Sequence, residues 1–278
     1  MGNIKITADS SANILQKDTI SFASAPLKII AGDQEFVDDA ALDVAQMVAW
    51  FDTYKGKSKT SCPNPSDWLD AFGNGENIFC VTITSGLSGS YNAACIAKQM
   101  YESEHPRRRV FVIDSLSAGP ELTLMVEKLE QLAQQGLDFD SICREITAYT
   151  QKTGLIFMLA SLKNFANNGR VSPAVAKVAG LLGIRIVGKA SDEGTLEPLD
   201  KCRGEEKSLS AILGRLRADG LQQGKVIIHH SANEPAARLL ADRIRAQFPA
   251  VQVQIGQCLG LCSYYAEKGG LLVGYEKF

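Results

Sequence analysis

Three short polar stretches carry the residue types that could hold an anion. The first is Thr82-Ile83-Thr84-Ser85-Gly86-Leu87-Ser88-Gly89-Ser90, where an almost continuous apolar run from Ile78 gives way to glycines and hydroxyls before a helical pattern. A helix N-terminus presents unpaired N–H groups and a partial positive charge. Ser85 and Ser88 would add hydroxyl donors, and Gly86 and Gly89 would let backbone approach a ligand. The competing reading is that Ser88 caps its own helix. The second stretch, Lys59-Thr60-Ser61-Cys62-Pro63-Asn64-Pro65, is a proline-stiffened turn whose Thr60 and Ser61 could converge on the same anion. Taken alone, it is an ordinary turn before a short helix. The third is Asn167-Asn168-Gly169-Arg170-Val171-Ser172-Pro173. Arg170 stands before an expected helix start at Ser172-Pro173, where a cation is unfavourable unless an anion is near.

Catalytic patterns fit these residues poorly. Gly86-Leu87-Ser88-Gly89-Ser90 lacks the final glycine of a nucleophile elbow. The three histidines, His105, His229 and His230, offer little towards a triad. No Walker loop or G-x-G-x-x-G occurs. Cys258 and Cys262 share a helical spacing but lack neighbouring metal ligands, so buried inert thiols are the plainer reading. No metal and no cofactor are expected.

The elements around these stretches alternate between short strands and longer helices. Strands are expected at Ile4–Ala8, Pro26–Ala31, Ile78–Thr84 and Val110–Ile113. Helical patterns follow at Ala40–Tyr54, Pro65–Phe72, Ser88–Tyr101 and Gly119–Gln135, then from Asp138 to about Lys152. That order predicts a parallel sheet with helices on its faces. Ligands of such sheets sit beyond the C-terminal strand ends, where Thr84–Ser90 would lie. The second half mixes strands at Leu155–Ser161, Ile184–Val187, Thr195–Leu199, Lys225–His230, Val251–Ile255 and Leu271–Tyr275 with helices at Glu205–Ala218 and Glu234–Phe248. Ser191-Asp192-Glu193-Gly194 reads as a hairpin turn. The apolar Ala179–Val187 could line a narrow tunnel, although plain core explains it as well. The fold class is therefore α/β in two domains. A parallel α/β/α domain at 1–153 is followed by a mixed-sheet α/β domain at 154–278, and Tyr54–Pro65 is placed to visit the second.

Composition fits that reading. A chain of 278 residues buries roughly three-quarters of its unfolded surface and needs no disulfide or metal for stability. Seven scattered cysteines without a C-x-x-C pair point to a reduced, cytoplasmic protein. The net charge of −2 argues against nucleic acid, and Arg107-Arg108-Arg109 reads as a solvated loop. The sequence begins in a strand pattern, without a signal core, and its apolar runs are too short for stable membrane insertion.

In chain order the motifs resemble the DegV family. Thr7-Ala8-Asp9-Ser10-Ser11-Ala12 resembles its T-D-S-T-A-D, and Thr60-Ser61-Cys62-Pro63-Asn64-Pro65 its T-S-Q-P-S-P. Thr84–Ser90 resembles S-S-G-L-S-G-T, and Val112–Ala118 resembles V-I-D-S-x-x-A. Gly169-Arg170-Val171-Ser172 resembles G-R-I-S, and Cys202-Arg203-Gly204 resembles V-R-G. The resemblance implies a bacterial two-domain protein that binds a long-chain fatty acid between its domains. It also implies, for some members, presentation of that fatty acid to a separate fatty acid kinase that makes an acyl phosphate. Thr60, Ser61, Ser85, Gly86 and Ser88 would hold the carboxylate, with Arg170 and Arg203 near the mouth or the kinase-facing surface. One segment departs from the pattern. The family's I-G-x-x-I-G-x-H-T-G-P-G is replaced by Ile255–Tyr265, with Cys262 at the histidine position. That puts kinase coupling in question more than lipid binding. A serine-dependent acyl hydrolase or transferase, and a binder of a phosphate-bearing metabolite, are the alternatives.

Overall fold

The computed structural model describes residues 3–172 and 183–277. The first half builds a four-stranded parallel sheet in the order β2-β1-β6-β7. Its strands are β1 (Ile4–Asp9), β2 (Ser21–Ala25), β6 (Asn77–Thr82) and β7 (Arg109–Asp114). Alternation along the strands sends side chains to two faces. On one face Ile6, Ala8, Phe79, Val81 and Ile113 pack under α4 (Pro120–Gln134) and α5 (Phe139–Thr150). On the other face Ile78, Cys80 and Val110 pack under α2 (Pro65–Phe72) and α3 (Ser90–Glu104). The near-continuous apolar run of β6 follows from burial on both sides.

The second half forms a six-stranded mixed sheet, β10-β9-β8-β13-β11-β12. Its strands are β8 (Thr153–Leu159), β9 (Ile184–Ala190), β10 (Leu196–Arg203), β11 (Gln223–His230), β12 (Ala250–Gln257) and β13 (Leu271–Glu276). Only β11 and β12 pair in parallel; the remaining pairs are antiparallel. In β8, Ile156 and Met158 face a core with α7 (Glu205–Ala218) and α8 (Glu234–Gln247). Leu155, Phe157 and Leu159 face the opposite way, towards the first half. Helix α4 touches both sheets. Its N-terminus lies so close to β13 that a Cβ on Gly274 would stand 2.6 Å from the Pro120 carbonyl carbon.

A third sheet, β4-β3-β5, escaped the sequence reading in part. Pro26–Ala31 is expected as a strand and appears as β3 (Lys28–Ala31). Its partners β4 (Gln34–Val37) and β5 (Ser58–Ser61), and β2 in the parallel sheet, were not anticipated. Their residues are mostly polar or small and only partly buried, so period-two alternation is weak. The two-residue turn Gly32-Asp33 did carry a hairpin signal, with Gly32 at φ +60°. Two short helices also went unread: α6 (Lys163–Asn167) and α9 (Gly260–Ala266). The longer α1 (Val44–Thr53) forms as expected, capped by Asp43. The helix start at Ser172-Pro173 and the first residues of Ala179–Val187 lie at or beyond the edge of the described residues. Of Arg107-Arg108-Arg109, Arg108 lies over Tyr101 and Arg109 pairs with Asp140. Among the described residues, no helix is long and apolar enough to cross a membrane.

Candidate functional site

The turn after β6 is held by its own backbone and by the second half. Thr84 Oγ1 accepts from Gly86 N at 3.0 Å and donates to the Gly194 carbonyl at 2.8 Å. A Cβ on Gly86 would meet the Glu193 carbonyl oxygen at 2.8 Å, and one on Gly194 would strike Thr84 Oγ1 at 2.0 Å. These glycines let the β9–β10 hairpin tip rest on the turn. Helix α3 then starts at Ser90. Ser88 Oγ accepts from Ser90 N at 3.2 Å, so the hydroxyl's own proton remains available. Ser88 thus bonds the backbone just ahead of α3, whose N-cap is Gly89, and its proton can still be donated.

Strand β5 brings the second hydroxyl group across to the other half. Thr60 Oγ1 lies 2.8 Å from Tyr265 Oη, and Ser58 Oγ lies 2.7 Å from Tyr264 Oη. Residues 58 and 60 share one face of the strand, so adjacent tyrosines of α9 meet alternate residues of β5. Asn168 ties the corner. Its Oδ1 accepts from Thr60 N at 3.0 Å and its Nδ2 donates to Tyr264 Oη at 3.0 Å. Arg170 Nε donates to the Leu87 carbonyl at 2.8 Å, which holds the guanidinium against the β6–α3 turn.

Between the halves lies a cavity of about 280 Å³. Its lining includes Thr60, Ser61, Ser88, Arg170 and Tyr265, with Thr60 bonded to Tyr265 and Arg170 to the carbonyl next to Ser88. Its remaining described walls are mainly apolar, with Leu155, Phe157 and Leu159 of β8, Leu272 of β13, and Ile83 and Leu27 from the first half. A polar group set among apolar walls suits an amphiphile with an anionic head.

A second polar group beside the cavity is buried and saturated. Asp9 accepts from Ser11 Oγ at 2.5 Å, Ser90 Oγ at 2.6 Å and Ile83 N at 2.8 Å. Burial pushes its carboxyl above the ordinary value despite those bonds. Asp38 accepts from Gly260 N at 2.6 Å and Leu261 N at 2.9 Å, fastening the start of α9 to the first half. Burial raises Asp38 to about 6. Asn13 Oδ1 accepts from Leu259 N, and Asn13 Nδ2 lies 2.7 Å from His229 Nδ1. Burial lowers His229 to about 4, so the ring is neutral at pH 7 and Nδ1 accepts from the amide.

A model of the DegV family matches residues 3–277. The chain belongs to the DegV family. A DegV domain-containing protein of Streptococcus pneumoniae is 48% identical over 276 residues, covering 98% of each chain. Two solved structures share the fold closely. The Streptococcus pneumoniae Fatty Acid Kinase (Fak) B3 protein, loaded with linoleic acid, is 47% identical with a TM-score of 0.97, covering 99% of this chain and 100% of that one. A DegV family protein of Eubacterium eligens, loaded with heptadecanoic acid, is 42% identical with a TM-score of 0.96 and the same coverage.

Among the residues singled out by resemblance to DegV motifs, Thr60, Ser61, Ser88, Arg170 and Cys262 line the cavity. Ser85, Gly86 and Arg203 are not among its described lining residues. Ser85 is exposed and its N–H donates to Asp114 Oδ1 at 3.0 Å. Gly86 serves the contact with the hairpin rather than an approach to the cavity. Arg203 is exposed at the end of β10. Cys262 is deeply buried, with Sγ 3.5 Å from the Ser11 carbonyl, and burial pushes its thiol well above the usual value. Sequence reasoning missed Tyr264 and Tyr265. Both lie in Ile255–Tyr265, the segment that departs from the DegV pattern, where phenols stand two and three positions after Cys262.

Proposed function

We propose that this chain binds one long-chain fatty acid non-covalently and presents it to a separate fatty acid kinase, as a carrier and not an enzyme. The observation that carries the reading is the cavity itself, whose lining joins hydroxyls and an arginine to the apolar side chains of β8. The relatives loaded with linoleic and heptadecanoic acid support the ligand class, and the relative's kinase name supports the partner. The carboxylate sits on Thr60, Ser61 and Ser88, with Arg170 supplying positive charge at the mouth. Ser85 and Gly86 shape the turn, and Arg203 belongs to the kinase-facing surface. The parallel α/β domain is 1–153 and the mixed domain 154–278, with β5 reaching across. The location is cytoplasmic, consistent with seven unpaired cysteines.

Burial of an acyl tail contributes ~0.8 kcal/mol per methylene, so the ligand survives purification. Organic extraction and mass spectrometry of the purified chain will recover a fatty acid in near-stoichiometric amount. Empty protein that also takes up no added lipid would defeat the reading. The acyl-hydrolase alternative fares worse because none of the three histidines lines the cavity near Ser88. Stoichiometric fluorophosphonate labelling of Ser88 would restore it. A co-purifying phosphate ester would favour the metabolite reading instead.

A further inference from the structure

We propose that Tyr265 is a positioning residue for the head group: its phenol donates to Thr60 Oγ1 and turns the Thr60 proton into the cavity. This rests on the reading that the cavity takes a carboxylate. Both oxygens belong to residues lining the cavity, and they lie 2.8 Å apart. Two hydroxyls that hydrogen-bond to one another use one proton between them and leave the other free. The direction is set by acidity, because a phenol is a much stronger donor than an aliphatic alcohol. The phenol therefore donates, and the Thr60 hydroxyl keeps its proton for an incoming acceptor.

Three contacts fix the geometry. Thr60 N donates to Asn168 Oδ1 at 3.0 Å, which holds the backbone of β5 under the tyrosine. The Tyr265 ring packs against Phe165, with centroids 4.5 Å apart, and edge-on to Tyr264 at 4.9 Å. The ring is therefore held by aromatic packing that does not need its hydroxyl. Burial raises the Tyr265 phenol above its ordinary value, which keeps it a neutral donor near pH 7. A chain of phenol, alcohol and carboxylate then polarises in one direction, each bond strengthening the next. Tyr265 is tied in this way to a charged acceptor, for which the bond is strongest, and is indifferent to the length of the tail.

The test uses lipid-stripped full-length protein with two probes, heptadecanoic acid and its methyl ester. The ester keeps the tail and removes the charge. Tyr265→Phe keeps the ring and its packing, and ester binding reports that the pocket is still folded. The acid is expected to bind Tyr265→Phe about ten-fold more weakly than wild type, with ester affinity changed by less than about two-fold. In a Thr60→Val background, adding Tyr265→Phe is expected to cost the acid nothing further, because the phenol acts through the threonine. Equal losses for acid and ester would show that the phenol hydroxyl supports the pocket as a whole and not the head group, and would overturn the proposal. A full ten-fold loss that persists in the Thr60→Val background would overturn it too, since Tyr265 would then act independently. Wild-type protein that binds acid and ester equally would overturn the carboxylate reading itself, and this proposal with it.

Discussion

Two polar clusters stand where the halves meet, and they differ in how many of their hydrogen bonds are already made. Around Asp9, Asp38, Asn13 and His229 the strong acceptors are filled by protein donors. Around Thr60, Ser61, Ser88 and Tyr265 the hydroxyls line a cavity, and Ser88 and, with Tyr265 donating to it, Thr60 keep a proton in reserve. A filled cluster has nothing left for a ligand, so its energy goes into holding α9 and the turn before α3. An unfilled cluster gives up some stability and gains affinity. Chemistry rich in carboxylates marks the joint, and chemistry rich in hydroxyls marks the proposed site.

The largest effect should come from breaking the joint. Asp9→Ala strips an acceptor from two buried hydroxyls and one backbone N–H. Leaving such groups unpaired costs about 1–3 kcal/mol each, so a loss of at least ~3 kcal/mol is expected in urea unfolding. A variant as stable as wild type would show that Asp9 is dispensable. The joint should also read pH in two opposing directions. His229 falls from 6.5 to about 4 in the fold. Between those values the unfolded chain holds the extra proton, so this group costs stability as pH falls. Asp38 rises from 3.8 to about 6. There the native state holds the extra proton, so this group adds stability as pH falls. Each amounts to ~3 kcal/mol across its window. Relative to wild type, His229→Asn should gain stability on acidification from pH 6.5 to 4, and Asp38→Asn should lose it from pH 6 to 4. Unfolding curves at these pH values that shift together for both variants would break the assignment.

The site should respond in affinity rather than stability. A hydrogen bond to a charged carboxylate contributes roughly 1.5–3 kcal/mol, about ten- to a hundred-fold. Thr60→Val and Ser88→Ala should each weaken fatty-acid binding on that scale, with unfolding midpoints nearly unmoved. Ser85→Ala should change neither, since Ser85 is outside the cavity lining. Isothermal titration of the three variants with one fatty acid compares them directly. Equal losses from Ser85 and Ser88 would move the head group along the turn.

Much of this arrangement was legible in the residues. The apolar run of β6 ending in glycines and hydroxyls located the turn, and Asp138 and Ser191–Gly194 behaved as cap and hairpin. What stayed hidden depends on distance in sequence. Nothing local to Thr60 announces Tyr265, over two hundred positions away, because the pair exists only after β5 crosses to the second half. Nothing local to Asp38 marks it as the cap of α9, a helix too short to show a hydrophobic period. Gly86 permits a close approach that the sequence does suggest, and the group that makes it in the fold, the Glu193-Gly194 backbone, is far away in sequence.

Cys262 offers the smallest effect and the sharpest contrast with Thr60, since both line the cavity. At the position where the family pattern carries a histidine, a donor or a positive charge would be expected near the head group. Cys262 supplies neither. Its thiol is a weak donor, already directed at the Ser11 carbonyl at 3.5 Å, and burial keeps it protonated well beyond neutral pH. Cys262→Ala should therefore leave fatty-acid affinity within about two-fold, at a stability cost of ~1 kcal/mol for the lost packing. The same burial should make the thiol unreactive to iodoacetamide in the folded protein. Cys262→His would return an imidazole to the cavity wall, and should alter acyl-phosphate formation with a cognate kinase more than it alters lipid affinity. Assaying both variants for lipid binding and kinase turnover settles the point. A ten-fold loss of affinity in Cys262→Ala would place the thiol among the head-group contacts and erase its contrast with Thr60.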